Sequence, residues 1–277
     1  MTFAEIFQGA TDKRGILNKI DETGKKIAWQ EEIPFEPEKH LNGVTQGLSP
    51  VNISKRGCRF ICCDMDKEID PKKFCKSIYK LDPTLFCFKS LSGRWHVYKF
   101  FDTWIEVDEA KQKAKALEKK IENLGYGECD RGHTLPQGYD LEKNKPGNWI
   151  FIPYSKKHTV CYSPRGNPLT KEQFEFRYKY KDHLLIAGSV GMTKDGGGRY
   201  KALFSTGLYL KYHEDLELTL EDINNNFNDK LKQKDIDHVK EDSLEKEEYD
   251  IEFLQNGHKK FLYEITGCNI EDEHLED

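Results

Sequence analysis

The 277-residue sequence predicts an α+β fold: a β-α-β-β-α-β module packed with a second α/β module and followed by a helical C-terminal appendage. Three observations predict it. Between Cys58 and Asp130, short runs rich in Phe, Ile, Cys, Val and Tyr alternate with two segments whose apolar residues recur every three or four positions. A further strand-like run, Asn148-Trp149-Ile150-Phe151-Ile152-Pro153-Tyr154, lies outside that module. Residues 214–277 carry 7 Lys and no Arg against 21 Asp and Glu, a net of −14, in patches of helical period.

The elements follow in order. Cys58-Arg59-Phe60-Ile61-Cys62-Cys63-Asp64 is an apolar run ending in a carboxylate, the first strand. Asp70-Pro71 supplies a cap and a first helical residue, opening a helix to about Lys80, and Asp82-Pro83 breaks it. Residues 84–89 form the second strand and residues 95–101 the third, joined by the turn Ser90-Leu91-Ser92-Gly93-Arg94. Val107, Ala110, Ala114, Leu117, Ile121 and Leu124 trace one face of a second helix, which Gly125 stops. Residues 126–130 form the fourth strand. This order is that of the split ferredoxin-like, RRM-like unit, whose strands lie in the order 4-1-3-2. In the tail, Thr219 starts one helix, and residues 243–256, ahead of Gly257, form another.

Charge and composition bound the function. Removing the acidic tail leaves 36 basic and 27 acidic residues over 1–213, a net of +9. A basic body suits a polyanionic partner, because Lys and Arg that neutralise phosphates release condensed counterions; a solvated surface explains the same count without a partner. No apolar run approaches the roughly 20 residues that span a bilayer. The opening Met1-Thr2-Phe3-Ala4-Glu5-Ile6-Phe7 has no basic region before an apolar one, so no secretory signal is expected. Eight cysteines, at 58, 62, 63, 75, 87, 129, 161 and 268, are too scattered for a disulfide scaffold and read as buried small hydrophobes in a reducing cytoplasm. A zinc site built from Cys and His is the lesser expectation.

Alternation sorts the side chains of the module. On strand one Cys62, Asp64 and Asp66 share a face, opposite Ile61, Cys63 and Met65. His96, Tyr98 and Phe100 share a face of strand three, and Glu128 and Asp130 one of strand four. If Ile61, Cys63 and Met65 face the helices, Asp64, Asp66, His96 and Asp130 converge on the helix-free side. An isolated D-x-D often merely ends a strand, but three carboxylates on neighbouring strands repel unless a cation compensates them. Mg²⁺ or Mn²⁺ meets that need with oxygen ligands, and two such ions clamp the attacking and leaving oxygens of a phosphoryl displacement. Ser92, Gly93 and Arg94 add a glycine turn whose backbone N–H groups can approach phosphate and a guanidinium that can grip it, with His96 just beyond. Asp108, Asp140 and Glu128 compete with Asp130. Asp108 is explained by the helix dipole and Asp140 by a loop after Pro136-Gln137-Gly138.

Cys62-Cys63-Asp64-Met65-Asp66, Ser92-Gly93-Arg94-Trp95-His96-Val97-Tyr98 and Glu128-Cys129-Asp130 resemble, in order, the three motifs of the archaeo-eukaryotic primase superfamily. The closest likeness is to the primase–polymerases of phages and plasmids, and it spans residues 40–155. The resemblance implies that Asp64, Asp66 and Asp130 bind divalent metal and that His96 contacts the triphosphate of the incoming nucleotide. It implies a DNA-directed primase–polymerase domain over 1–213, with its core at 58–130 and a flanking module from 1–57 and 140–213, beside the acidic segment 214–277. Its substrates would be nucleoside triphosphates, a single-stranded DNA template and a primer. It would act in the cytoplasm of a bacterial or archaeal host, encoded by a phage or mobile element and working with a fused or separate helicase. Where the family often has a small residue two before the histidine, this chain has Arg94.

Other residues are weaker candidates. Lys156, Lys157, His158 and Arg165 could meet template or triphosphate, or be solvated loop charge. Lys194-Asp195-Gly196-Gly197-Gly198-Arg199 reads as a basic clamp or an ordinary loop and lacks the Walker pattern. Tyr178, Tyr180, Tyr200, Tyr209 and Tyr212 could stack on bases or fill a core. Two rival functions remain. A metal-dependent nuclease or rolling-circle-type initiator uses a related sheet, although the chain has no H-x-H. A non-catalytic RRM-like module reads nucleic acid through exposed sheet aromatics.

Overall fold

The computed structural model describes residues 2–22, 26–90, 92–130, 132–155, 159–194, 198–211, 213 and 215–245. They divide into two compact units, Met1–Asp70 with Thr84–Tyr162, and Pro71–Pro83 with Ser163–Asp277. Elements in chain order are α1 (Phe3–Ile6), β1 (Arg14–Ile20), β2 (Lys26–Glu31), α2 (Pro37–Leu41), β3 (Gln46–Leu48), β4 (Val51–Asn52), β5 (Gly57–Met65), α3 (Pro71–Leu81), β6 (Phe86–Lys89), β7 (Trp95–Glu106), α4 (Val107–Ile121), a π-helical turn (Glu122–Tyr126), β8 (Ile150–Phe151) and β9 (Cys161–Tyr162). Four helices follow α5 (Lys171–Lys179): α6 (Leu184–Ser189), α7 (Arg199–Leu210), α8 (Leu220–Asn225) and α9 (Gln233–Glu245). The protein is a mixed α+β chain with two antiparallel sheets and C-terminal helices.

The first unit holds both sheets, ordered β2-β1-β3-β8 and β4-β5-β7-β6-β9. β5 is buried on both faces, which is why it reads as an almost unbroken apolar run. Cys63 turns toward α4, its Sγ 3.7 Å from the Ala114 carbonyl oxygen. The opposite face carries Phe60, Tyr98, Phe100 and Phe88, all closed over by Phe7, whose ring centroid lies 5.3–6.3 Å from each of theirs. These edge-on aromatic contacts, made by the residue that caps α1, seal that face near its middle.

Several boundaries differ from the expected ones. The third strand runs on to Glu106, because Ile105 and Glu106 still pair with Cys58 and Gly57 across a bulge. The second helix leaves α geometry after Ile121 and ends in the π turn, with Gly125 at φ +78°. The fourth strand shrinks to a single bridge, Cys129 to Met65, after which the chain turns and Leu135 pairs with Cys62. The outer edge of β5 is therefore met by β4 at Gly57 and Cys58 and by these two short contacts further along. The strand expected over 148–154 is only β8, paired to β3 through Gly47↔Phe151 and Leu48↔Ile150.

In the second unit, Leu184, Leu203, Leu220, Ile223, Phe227, Ile236 and Val239 belong to one buried cluster. α8 and α9 thus share a core with α6 and α7 instead of forming an appendage, since each acidic helix keeps one apolar face. Thr219 caps α8 as expected, its Oγ1 accepting the Asp222 N–H at 3.1 Å. The last described helix, α9, begins at Gln233, ahead of the expected start at Ser243, and residues 246–256 of that expectation lie outside the described residues. All seven described cysteines are buried thiols. Cys268 lies outside. No described helix is long and apolar enough to cross a membrane.

Candidate active site

A cavity of about 550 Å³ lies in the first unit. Asp64, Asp66, Ser92, Arg94, His96 and Asp130 all line it. Pairing of β5 with β7 sets Asp64 directly opposite His96, and Cys62 opposite Tyr98. Directly opposed antiparallel residues project to one face, so Asp64 and His96 meet, with His96 Nε2 3.5 Å from Asp64 Oδ1. Asp130 joins them through the backbone, its N–H donating to the Asp64 carbonyl oxygen at 2.8 Å. Of the three rivals to Asp130, none lines the cavity: Asp108 accepts from Tyr139 Oη at 2.5 Å, Asp140 caps its own loop by accepting the Lys143 N–H at 3.1 Å, and Glu128 is exposed.

The electrostatics of these groups diverge. Burial, reinforced by Asp66 and Asp130, pushes the Asp64 carboxyl up to about 6, against the pull of His133 and Lys26. Its Oδ1 is buried and accepts no hydrogen bond from any described residue. His96 is pushed down to about 3, by burial first and then by Lys26 and His133. Near neutral pH it is an uncharged imidazole, so its approach to Asp64 at 3.5 Å is a contact between a carboxylate and a neutral ring, not an ion pair. Asp130 moves the other way. His133 Nδ1 lies 2.7 Å from its Oδ2 and the Gly132 N–H donates to its Oδ1 at 2.8 Å, and together they hold the carboxyl below the usual range. Asp66 is paired with Arg94, both partly exposed.

The 90–94 turn does less than its sequence suggests. Gly93 has φ +80°, the left-handed conformation that glycine permits. Its N–H donates to the Ser90 carbonyl oxygen at 3.0 Å, and the Arg94 N–H donates to Ser90 Oγ at 3.2 Å. Those two donors close the turn and are not aimed at a phosphate. The Ser92 hydroxyl, 3.0 Å from Ser90 Oγ, and the Arg94 guanidinium are what the turn offers the cavity.

The structure also brings in residues that sequence reasoning missed. Lys26, on β2, lines the cavity close enough to Asp64 and Asp66 to feel both charges, and burial lowers its pKa. Nothing near Lys26 in the sequence marks it, because it arrives from the other sheet. His133 was legible in retrospect: a histidine three residues after Asp130, with Gly132 between, is the spacing of a local turn that returns to the carboxylate. Trp149 and Phe151 form an aromatic wall, their centroids 4.9 Å apart.

Other candidates fall elsewhere. Tyr178 and Tyr180 are buried, which excludes base stacking by either. Tyr209 Oη bonds His183 Nδ1 at 2.9 Å, and Tyr200 Oη donates to Asp242 at 2.8 Å. Arg165 is half-buried in the second unit. Arg199 donates to the carbonyl oxygens of Asp229 and Lys230, and the Lys194 N–H to Asp229 Oδ2 at 2.6 Å, so both flanks of the basic loop are tied to one segment. Lys156, Lys157, His158, Tyr212 and residues 195–197 lie outside the described residues.

Among the described residues, no three His, Cys, Asp or Glu side chains gather closely enough to hold a metal ion. Asp66 and Asp130 are occupied by Arg94 and His133, and only Asp64 has an unsatisfied buried oxygen. The donor chemistry, three carboxylates lining one cavity with one of them desolvated, suits a hard divalent cation, although as placed the three do not converge on one point. No protein-family model matches this chain, and no curated protein matches it.

Proposed function

We propose that the chain is a DNA-directed primase–polymerase, a nucleotidyltransferase that joins nucleoside triphosphates on a single-stranded template. The observation that carries the reading is the direct pairing of Asp64 with His96, with Asp130 bonded to the Asp64 backbone, on a cavity that also holds Asp66, Arg94 and Lys26. Lys26 apart, these are the groups that three dispersed motifs resembling the primase superfamily would assemble. An RRM-like module is supported by the adjacency of β5, β7 and β6 and by the Cys129 bridge on the other edge of β5, the 4-1-3-2 order with strand four cut short. The non-catalytic RRM-like alternative is disfavoured, because Phe60, Tyr98 and Phe100 are buried under Phe7 instead of being open to bases.

Asp64, Asp66 and Asp130 would hold Mg²⁺ or Mn²⁺, which when bound lowers the pKa of an attacking hydroxyl and offsets charge on the leaving pyrophosphate. His96, neutral and fixed in the sheet, donates one N–H to a phosphate oxygen without adding charge. Arg94 and Lys26 supply the cationic field, and Arg94 can hold two phosphate oxygens at once. Arg94 also covers Asp66 in the structure. That pair is partly exposed, and such ion pairs contribute about 0–1 kcal/mol, so an arriving divalent cation displaces the guanidinium readily. Arg94→Ala is therefore expected to tighten Mn²⁺ binding to the nucleotide-free protein by up to about fivefold while weakening triphosphate binding. Calorimetric titration with Mn²⁺ alone reads the first effect; weaker Mn²⁺ binding by the variant would remove Arg94 from this role.

The test of the function is extension of a labelled primer on single-stranded template, run beside cleavage of the same strand. Extension that needs Mg²⁺ or Mn²⁺ and disappears in Asp64→Ala/Asp66→Ala supports the reading. Metal-dependent cleavage without extension would assign the site to a nuclease instead.

A further inference from the structure

The charged groups occupy only part of the cavity. Trp149 and Phe151 also line it, beside Gln30, Lys145, Asn148 and Ile150, and the Lys26 ammonium sits 5.7 Å above the Phe151 ring. The position of Trp149 is built into the second sheet. Gly15 of β1 and Gly47 of β3 are direct cross-strand partners. A Cβ on Gly15 would lie 2.3–2.5 Å from three contiguous atoms of the six-membered indole ring, and one on Gly47 would lie 2.1 Å from the nearest of them. Three such near-equal distances mean that the ring face lies over Gly15. Glycine weakens a strand interior by about 0.5–1 kcal/mol relative to alanine, so two paired glycines form a costly floor whose evident effect is to seat this indole.

We propose that Trp149 is the base platform of the site: the purine or pyrimidine ring of the incoming nucleotide packs against the Trp149–Phe151 wall while its phosphates lie at Arg94, His96 and Lys26. The inference rests on the nucleotidyltransferase reading and adds to it the part of the substrate that the carboxylates and cations do not recognise. A lining that combines cationic groups with an aromatic pair suits a molecule with a polyanionic tail and a flat apolar head. The volume, about 550 Å³, lies within the range of small-molecule sites. Stacking on an aromatic face tolerates any base, since each has a π-face, and this suits an enzyme that copies a template.

The test compares ATP and dCTP with inorganic tripolyphosphate, each binding to the full chain in Mn²⁺ without DNA. Wild type should bind the nucleotides roughly 5- to 100-fold more tightly than tripolyphosphate. Trp149→Leu keeps an apolar side chain over the glycines but has no π-face, and it should reduce that ratio to near one without changing tripolyphosphate affinity. Trp149→Phe should recover part of it. Circular dichroism of both variants confirms folding. A nucleotide-to-tripolyphosphate ratio unchanged in Trp149→Leu overturns the platform and leaves the proposed function standing. Failure of wild type to bind either nucleotides or tripolyphosphate overturns both.

Discussion

In metal-free buffer at pH 8, Asp64→Asn is expected to be more stable than wild type by up to about 3 kcal/mol, and on the proposed function it should incorporate almost no nucleotide once metal is supplied. The folded-state pKa of Asp64 is raised from the ordinary 3.8 to about 6, with burial as the first cause. Between those two values the native state keeps the proton and the unfolded state releases it. Native stability therefore falls as pH rises through the window, and above about 6 the whole cost of a desolvated carboxylate is present. Asparagine has the same shape and no charge, so its advantage should vanish below pH 4, grow between 4 and 6, and stay level above that. Saturating Mn²⁺ should narrow the gap, because an ion that binds only the native wild-type site stabilises it by mass action. Urea unfolding at several pH values, with and without Mn²⁺, measures all of this. Equal stabilities at pH 8 would mean that Asp64 is not desolvated in the way its surroundings imply. On the proposed function, loss of the Asp64 carboxylate should also remove about 4 kcal/mol of transition-state stabilisation, roughly a thousandfold in rate. A variant both more stable and inactive is the signature of a residue kept for chemistry at the expense of the fold.

Gly47→Ala is expected to cost about 1–3 kcal/mol, the usual penalty for overpacking. The sign is the informative part. At a buried strand position with an ordinary φ, replacing glycine by alanine normally stabilises a protein by restricting its unfolded chain. Here the new methyl would stand 2.1 Å from the Trp149 ring, so the indole or the strand must move. In a Trp149→Ala background the same substitution should cost nothing, and its stability should exceed that of Trp149→Ala alone. Denaturant unfolding of the four proteins of this cycle yields the coupling energy. An equal cost in both backgrounds would locate the conflict somewhere other than the indole.

Much of the local structure was legible in the chain. The β5 run, the Asp70-Pro71 start of α3, the 90–94 turn and the apolar stripe of α4 each follow from patterns within a few residues, where sterics and burial act directly. The shared face of Asp64 and the partner face of His96 follow from the two-residue period of strands, and the register of β5 on β7 does bring the two together. Local patterns also fell short. Tyr178 and Tyr180, interleaved with Lys and Arg, read equally as a surface for bases or as core, and the structure buries them together with Arg177 and Lys181, leaving Lys179 exposed. The 126–130 strand was expected at full length, but Gly125 and Gly127, with φ of +78° and +121°, bend the backbone out of extended geometry before it can pair.

By itself the sequence determined the element types, the alternation of faces and the presence of three carboxylates and a histidine on strands or strand ends, since these depend on backbone sterics and the burial of apolar side chains over short spans. Only the tertiary structure decided which charges surround them. Lys26 comes from a strand of another sheet, Trp149 rests on glycines more than a hundred positions earlier, and Arg94 and His133 each hold an acid. The physical reason is that the fields and contacts shaping a site fall off with distance in space, and separation along the chain does not measure that distance.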